Sequence, residues 1–307
     1  MNYISKKPYI VFILPGFLIY TVFVVYPIFY AVAISFTSWS GFGAKTFVGF
    51  SNYIEIFTNP YYYNALTNAL RNNIIILFLT LFIVTPLQIY TAYVICNKVR
   101  GHKFFQVMIY SPQFIATTVV VFLGTLVFDG NIGIFNKLLE LIGLEEFVKP
   151  WLRVPELGIL PAWSISVWAG IGMGMIFFMS AIKMIPKEMI DAASIDGANS
   201  WTILLKIVIP QIKMTIINVI LLVYILSITF FDYSYLLGGA AGGINGSVDV
   251  ISLLFYRTAF GSVGAIGGTI NKNAMGIGAT IATLLFGLIF IIVVLQIRIT
   301  YKKENIK

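Results

Sequence analysis

The sequence predicts an all-α, polytopic membrane protein with six transmembrane helices, and three observations carry that prediction. Of its 307 residues, 59% are hydrophobic and 10% are charged. A soluble domain carries about 25% charged residues and needs polar side chains to cover its surface. Six stretches contain no Asp, Glu, Lys, Arg or His: those between Lys7 and Lys45, Arg71 and Lys98, Lys103 and Asp129, Glu156 and Lys183, Lys213 and Asp232, and Lys272 and Arg298. A membrane helix needs about 20 mostly apolar residues. The shortest stretch, Met214 to Phe231, still spans ~27 Å at ~1.5 Å per residue.

The third observation is how the remaining charges fall. With the N-terminus inside and the spans alternating, the inner segments hold Lys6, Lys7, Lys98, Arg100, Lys103, Lys183, Lys187, Lys206, Lys213, Arg298, Lys302, Lys303 and Lys307. These are thirteen of the 20 basic residues, set against four acids, Glu188, Asp191, Asp196 and Glu304. The outer segments hold seven of each sign, and Asp232 lies at a membrane edge. An excess of Lys and Arg on short inner loops is the positive-inside pattern. The net charge of +8 therefore reports a topology with both termini cytoplasmic. It carries no argument for a nucleic-acid partner.

The first span is expected over residues 9–36, with Pro15 and Pro27 inside it; membrane helices tolerate such prolines. The Lys6-Lys7 pair, the apolar run and Ala31-Val32-Ala33 have the outline of a signal peptide. The run is longer than a signal core and leads into five more spans, so the helix is expected to remain as an anchor. An outer segment from Gly41 to Ala69, with Tyr61, Tyr62 and Tyr63 suited to an interface, leads to a second span over 72–95. A short basic inner loop follows, then a third span over 104–128 containing Pro112. The outer stretch from Asp129 to Glu156 reads as a short helix stopped at Gly143. The fourth span, 159–182, carries Trp163 near its outer end, where aromatic belts form. The fifth span covers 211–231. A glycine-rich outer segment and an apolar stretch from Val250 to Phe260 precede the sixth span, 274–297.

The inner segment 185–206, between spans four and five, is the most informative. Pro186 suits a helix start, and Glu188 in the first turn suits the helix dipole. Asp196-Gly197 is a turn signal, and Asn199 or Ser200 can cap a second helix. Pro210 marks the entry to span five. The small residues Ala192, Ala193, Gly197 and Ala198 would let another backbone approach closely.

Here the chain resembles a known family. Glu188, Asp191, Ala192, Ala193, Asp196, Gly197 and Ala198, followed by an apolar helix and Ile207 to Pro210, look like the cytoplasmic loop of ABC importer permeases. Asp191 stands where that family usually has a Glu. The resemblance covers nearly the whole chain and points to the carbohydrate branch, the maltose and glycerol-phosphate type. Leu14-Pro15, Tyr26-Pro27, Ser35-Phe36-Thr37, the run Phe47-Val48-Gly49-Phe50-Ser51-Asn52-Tyr53 and the run Tyr256-Arg257-Thr258-Ala259-Phe260 share its patterns. Gly238-Gly239 resembles that branch's Gly-Gly-Pro outer loop, with Ala240 in place of proline.

The resemblance implies a type I ABC importer permease fold in the bacterial cytoplasmic membrane. The loop would be a coupling helix that docks into an ATP-hydrolysing subunit. It also implies two such ATPases, a second homologous permease and an extracytoplasmic solute-binding protein as partners. The solute would be a sugar, an oligosaccharide or a related compound. No Gly is followed by Lys and Ser or Thr, so the chain has no phosphate-binding loop of that kind. It is expected to bind no cofactor itself, with ATP and Mg held by the partner ATPases. The single cysteine, Cys96, forms no intrachain disulfide. With one histidine, His102, no Cys/His zinc site is expected.

Candidate pathway residues are polar or aromatic groups within the spans, because a sugar needs hydrogen bonds and aromatic faces. They are Gln113, Trp168, Asn218, Tyr224, Asp232 and Tyr233, with Asn72, Asn73 and Gln88 as further members. Each could instead serve helix packing, and Asp232 could be solvated or pair with Arg257. An ion-coupled secondary transporter or channel would want ionisable groups inside several spans, and only Asp232 at an edge is present. No catalytic constellation is visible, so a membrane enzyme is not expected.

Overall fold

A computed structural model describes residues 8–97, 99–261 and 273–304; Lys6, Lys7, Lys98, Lys272 and Lys307, which enter the sidedness argument or bound its windows, lie outside them. Among the described residues five helices are long and apolar enough to cross a membrane, and a bent pair makes six if counted as one span.

In chain order, α1 covers residues 8–35, followed by a two-residue hairpin of β1 (Thr37–Ser38) and β2 (Thr46–Phe47). Then come α2 (Ser51–Thr58), α3 (Pro60–Cys96), α4 (His102–Tyr110) and α5 (Thr117–Val127). The short helix α6 (Ile134–Leu141) precedes the fourth span, α7 (Ile159–Lys183). The segment between spans four and five holds α8 (Lys187–Ile195) and α9 (residues 200–211). Span five is α10 (Lys213–Ile228), continued after a break by α11 (Phe231–Gly238). The chain closes with α12 (Ile251–Phe260) and α13 (Ala274–Glu304).

Three of these helices widen into a π turn, at Thr21–Val25, Thr80–Val84 and Leu204–Val208. Each widened turn is closed by a bond from residue i to i−5: Tyr26 to Thr21, Thr85 to Thr80 and Ile209 to Leu204. The next residue in each case is proline: Pro27, Pro86 and Pro210. A proline ring clashes with the carbonyl four residues back and supplies no N–H. The wider turn relieves that clash without ending the helix.

Two spans differ from expectation. α3 begins at Pro60, twelve residues before the expected start of the second span at Asn72. Asn59 caps it, its Oδ1 accepting the Tyr61 N–H at 3.0 Å, with Pro60 as the first helical residue. The third span is not one continuous helix. A 3₁₀ turn at Ser111–Phe114, begun with Pro112, follows α4. Ile115 and Ala116 are then extended (ψ 134° and 137°), and the two limbs meet at 105°.

The chain divides into two compact units. One comprises residues up to Asn64 with Leu254–Leu288. Buried Asn52 organises it, donating to the carbonyls of Ser35 (2.8 Å) and Thr37 (2.9 Å) and accepting from Asn273 at 2.7 Å. Asn52 is thus a latch between the end of α1 and the start of α13. The Lys45 ammonium lies over the rings of Trp39 and Tyr30, 4.3 and 4.7 Å from their centroids.

The other unit comprises Ala65–Leu253 and residues from Ile289 onward. Its apolar core joins α3, α7, α9 and α10 through Ile89, Phe178, Met175, Val208 and Val219. Buried Asn73 ties the outer ends together. Its Nδ2 donates to the carbonyls of Ser227 (2.6 Å) and Ile228 (3.3 Å), and its Oδ1 accepts the Ile251 N–H at 3.0 Å. The helix break at Thr229 and Phe230 frees those carbonyls, and Asn73 satisfies them. Asn72 similarly donates to the carbonyl of Asp249 at 2.8 Å.

Candidate docking helix and transport cavity

The inner loop is built as a helix with defined ends. Pro186 is the N-cap of α8, and Glu188 lies in its first turn. At the C-terminal end Gly197 adopts φ +80°. Its N–H meets the Ser194 carbonyl at 3.1 Å, and the Ala198 N–H meets the Ala193 carbonyl at 2.9 Å. These two bonds form a Schellman cap, which needs the left-handed conformation that glycine adopts freely. Asn199 then caps α9 through the Thr202 N–H at 2.8 Å.

Ala193 and Ala198, with Ile190, pack against the unit's own core. Glu188, Asp191, Ala192, Asp196 and Gly197 are exposed. So are the large apolar side chains of Met184 and Ile195, at 85% and 86%. The loop thus presents a small-residue surface edged by acids and two uncovered apolar side chains. It is braced from behind by α3: the Tyr93 hydroxyl donates to the Ser200 carbonyl at 3.1 Å, and Tyr90 stacks on Trp201.

A cavity of about 330 Å³ lies among α3, the Ser111–Phe114 turn, α7, α10 and α11. Its polar lining is Thr80 and Gln88 from α3, Gln113, Ser166 from α7, and Ser227, Thr229, Asp232 and Tyr233. The rest is mainly apolar, including Val84, Leu226 and Phe230. An apolar cavity with a few convergent polar groups is the usual form of a small-molecule site. The π turn of α3 faces it through Thr80 and Val84. Thr80 is also held by α7, since its Oγ1 accepts from Trp163 Nε1 at 3.0 Å. The Trp163 N–H is therefore spent on a helix–helix bond.

Of the six pathway candidates, the structure brings Gln113, Asp232 and Tyr233 to this cavity. Trp168, Asn218 and Tyr224 are not among its lining residues. On α7 the cavity-facing residues are Ser166, Val167, Gly170, Ile171, Met173 and Gly174, which leaves Trp168 rotated away by the helical period. Asn218 instead accepts from Gln296 Nε2 at 3.2 Å. Thr80, Ser166 and Thr229 line the cavity without having stood out in the sequence, because single hydroxyls in apolar helices are common and carry no distinguishing spacing. Among the described residues, no three His, Cys, Asp or Glu side chains gather as a metal site.

Comparison with known proteins agrees across nearly the whole length. The family described as binding-protein-dependent transport system inner membrane component matches residues 85–298. The chain is 30% identical over 279 residues to the probable ABC transporter permease protein YurN of Bacillus subtilis, covering 90% of this chain and 89% of that one. It is 29% identical over 301 residues to the multiple sugar-binding transport system permease protein MsmF of Streptococcus mutans, covering 95% of each. In fold it is similar to a chain in the crystal structure of a bacterial alginate ABC transporter in complex with an alginate pentasaccharide-bound periplasmic protein. That match has a TM-score of 0.78 at 22% identity and covers 95% of this chain and 94% of the other.

Proposed function

Because this chain belongs to the binding-protein-dependent transport system inner membrane components, we infer that it is the permease subunit of an ATP-driven importer for a sugar, an oligosaccharide or a related solute. It is a multi-pass protein of the cytoplasmic membrane with both termini inside. A second, similar permease completes the pathway, and two ATPase subunits bind ATP and Mg and supply the energy. A solute-binding protein outside delivers the cargo. MsmF, a multiple sugar-binding transport system permease, supports the solute class.

Helix α8 carries this function. Its cap geometry fixes a rigid projection, and Ala192, Gly197, Glu188, Asp191, Met184 and Ile195 are uncovered on it. A partner ATPase would seat Ala192 and Gly197 closely and cover Ile195 and Met184. Movement of the seated helix would pass through Trp201 and Ser200 to Tyr90 and Tyr93 of α3, whose π turn lines the cavity. Gln113, Asp232 and Tyr233 are the chain's contribution to the solute path.

The test is uptake into proteoliposomes containing this chain, its partner permease and the ATPase pair, with the binding protein added. ATP-dependent accumulation of a sugar that disappears without the ATPases supports the reading. Accumulation driven by an ion gradient alone, with the ATPases absent, would instead make the chain a secondary transporter.

A further inference from the structure

Three of the eight polar residues lining the cavity, Ser166, Thr229 and Asp232, have only acceptor capacity left. Ser166 and Thr229 already spend their hydroxyl protons on helix carbonyls, of Trp163 at 2.6 Å and Ile225 at 2.8 Å. What they can still offer is lone pairs. Asp232 is a carboxylate, which accepts only. Gln88 is 6% exposed, its Nε2 donates to the Ile171 carbonyl at 3.1 Å, and its Oε1 has no partner. A buried acceptor without a partner is costly and uncommon. Gln113 engages one amide N–H on the Met173 sulfur at 3.6 Å, leaving its oxygen and its second N–H open, so it can accept and donate. Among the described residues, no Lys, Arg or His lines the cavity. The hydroxyls of Thr80, Ser227 and Tyr233 can act either way.

We propose that this wall selects a neutral, polyhydroxylated solute and rejects an anionic one of the same size, a refinement that rests on the importer reading. A sugar hydroxyl donates one hydrogen bond while still accepting others, so a neutral sugar can answer the open acceptors of Ser166, Thr229 and Asp232, whereas Gln88 Oε1 is buried against Gly174 and out of a solute's reach. A carboxylate or phosphate brings acceptors alone and a charge of the same sign as Asp232. Each acceptor turned toward another acceptor stays unsatisfied. One such mismatch costs about tenfold or more in binding. Gly174 holds this arrangement, since a Cβ there would overlap the Gln88 amide. The glycine lets Gln88 lie flat against α7 at the cavity wall.

The test compares uptake by the whole transporter, in proteoliposomes with ATP and its binding protein, across neutral mono- to trisaccharides and uronates of equal length. The wild type should favour neutral members over uronates by about tenfold or more. Asp232→Lys should shrink that ratio and Asp232→Asn should shrink it less. The binding protein is the same throughout, so a change in ratio belongs to this chain. Asp232 is exposed, and a thermal melt of each variant checks its folding. Equal uptake of uronates and neutral sugars by the wild type would overturn the proposal, as would a ratio unmoved by Asp232→Lys in a folded transporter. Preferred uptake of amines over neutral sugars would overturn it as well. If no solute of any charge enters with ATP, the importer reading itself falls, and the selectivity proposal falls with it.

Discussion

The indole of Trp201 lies stacked on the ring of Tyr90, with centroids 5.4 Å apart and planes 10° from parallel. Trp201 stands in the first turn of α9, shortly after α8, and Tyr90 lies near the C-terminal end of α3. Aromatic pairs of this kind contribute about 0.5–1.5 kcal/mol beyond area burial. Three residues along α3 from Tyr90, Tyr93 adds a hydrogen bond to the Ser200 carbonyl. Two contacts therefore fasten the inner loop to the helix whose π turn faces the cavity.

If these contacts transmit motion, Tyr90→Ala and Trp201→Ala should each lower the amount of solute imported per ATP hydrolysed. The double variant should be little worse than either single one, because both remove the same contact. Additive losses would show that the stack does not act as a unit. The measurement is uptake and phosphate release on the same proteoliposomes.

Asn73 is fully buried and spends both ends of its amide on the backbone of α10 and the start of α12. Asn73→Leu leaves two carbonyls and one N–H without that partner. The expected loss is about 3 kcal/mol or more, from about 1–3 kcal/mol for each of the three stranded groups. A fall in the thermal unfolding midpoint in detergent would register it. An unchanged midpoint would mean that other groups satisfy this backbone.

Gly174 and Gln88 form a close-packed pair between α7 and α3. Gly174→Ala puts a methyl into the Gln88 amide, and such overpacking costs about 1–3 kcal/mol. Adding Gln88→Ala removes the clash, so the double variant should melt above the Gly174→Ala single variant. Thermal melts of the three proteins check the sign of that coupling.

Asp129 begins the outer segment, and its Oδ1 accepts the N–H groups of Asn131 (2.8 Å) and Ile132 (3.0 Å). The bond from Ile132 and then that from Asn131 hold its carboxyl below the ordinary value, with a further contribution from Arg153. A carboxyl lowered on folding adds order that is complete above its unfolded value and is lost as pH falls through the folded value. Backbone exchange in residues 129–136 should therefore accelerate on acidification below the usual carboxylate range. Asp129→Ala should show fast exchange at every pH. Hydrogen exchange across an acid series is the measurement.

The spans were legible because lipid imposes a simple rule, and Lys213 and Asp232 mark the window that becomes α10. The helix α8 and its ends were legible because Pro186, Gly197 and Asn199 each perform a local backbone task that sequence displays directly. The N-terminal extension of α3 was not, since a charge-free window starts only after Arg71 and is blind to helix that carries charge. The bend at Ile115 and Ala116 lies inside an apolar window, and hydropathy does not distinguish a straight helix from a broken one. Pro27 reads from sequence as a proline tolerated in a span and Pro210 as the entry to span five; neither they nor Pro86 show by themselves that a π turn precedes each. Asn73 stood among the pathway candidates, yet the structure spends it on backbone capping. Gln113 lines the cavity and Trp168 does not, a difference set by the face of its element on which each stands, which composition cannot report.

The central claim is that α8 is where an ATPase engages this chain. The most direct measurement is co-purification in detergent of the ATPase subunits with the intact protein, with Ile195→Arg and with Gly197→Val. Ile195 is 86% exposed, and a Cβ at Gly197 meets nothing. Ile195→Arg thus alters the surface alone, whereas Gly197→Val strains the cap, since a β-branched residue resists positive φ. The account predicts that the intact protein retains the ATPases and that both variants lose them, with Ile195→Arg melting as the wild type does. Equal retention by all three proteins, or none by the intact one, would contradict it.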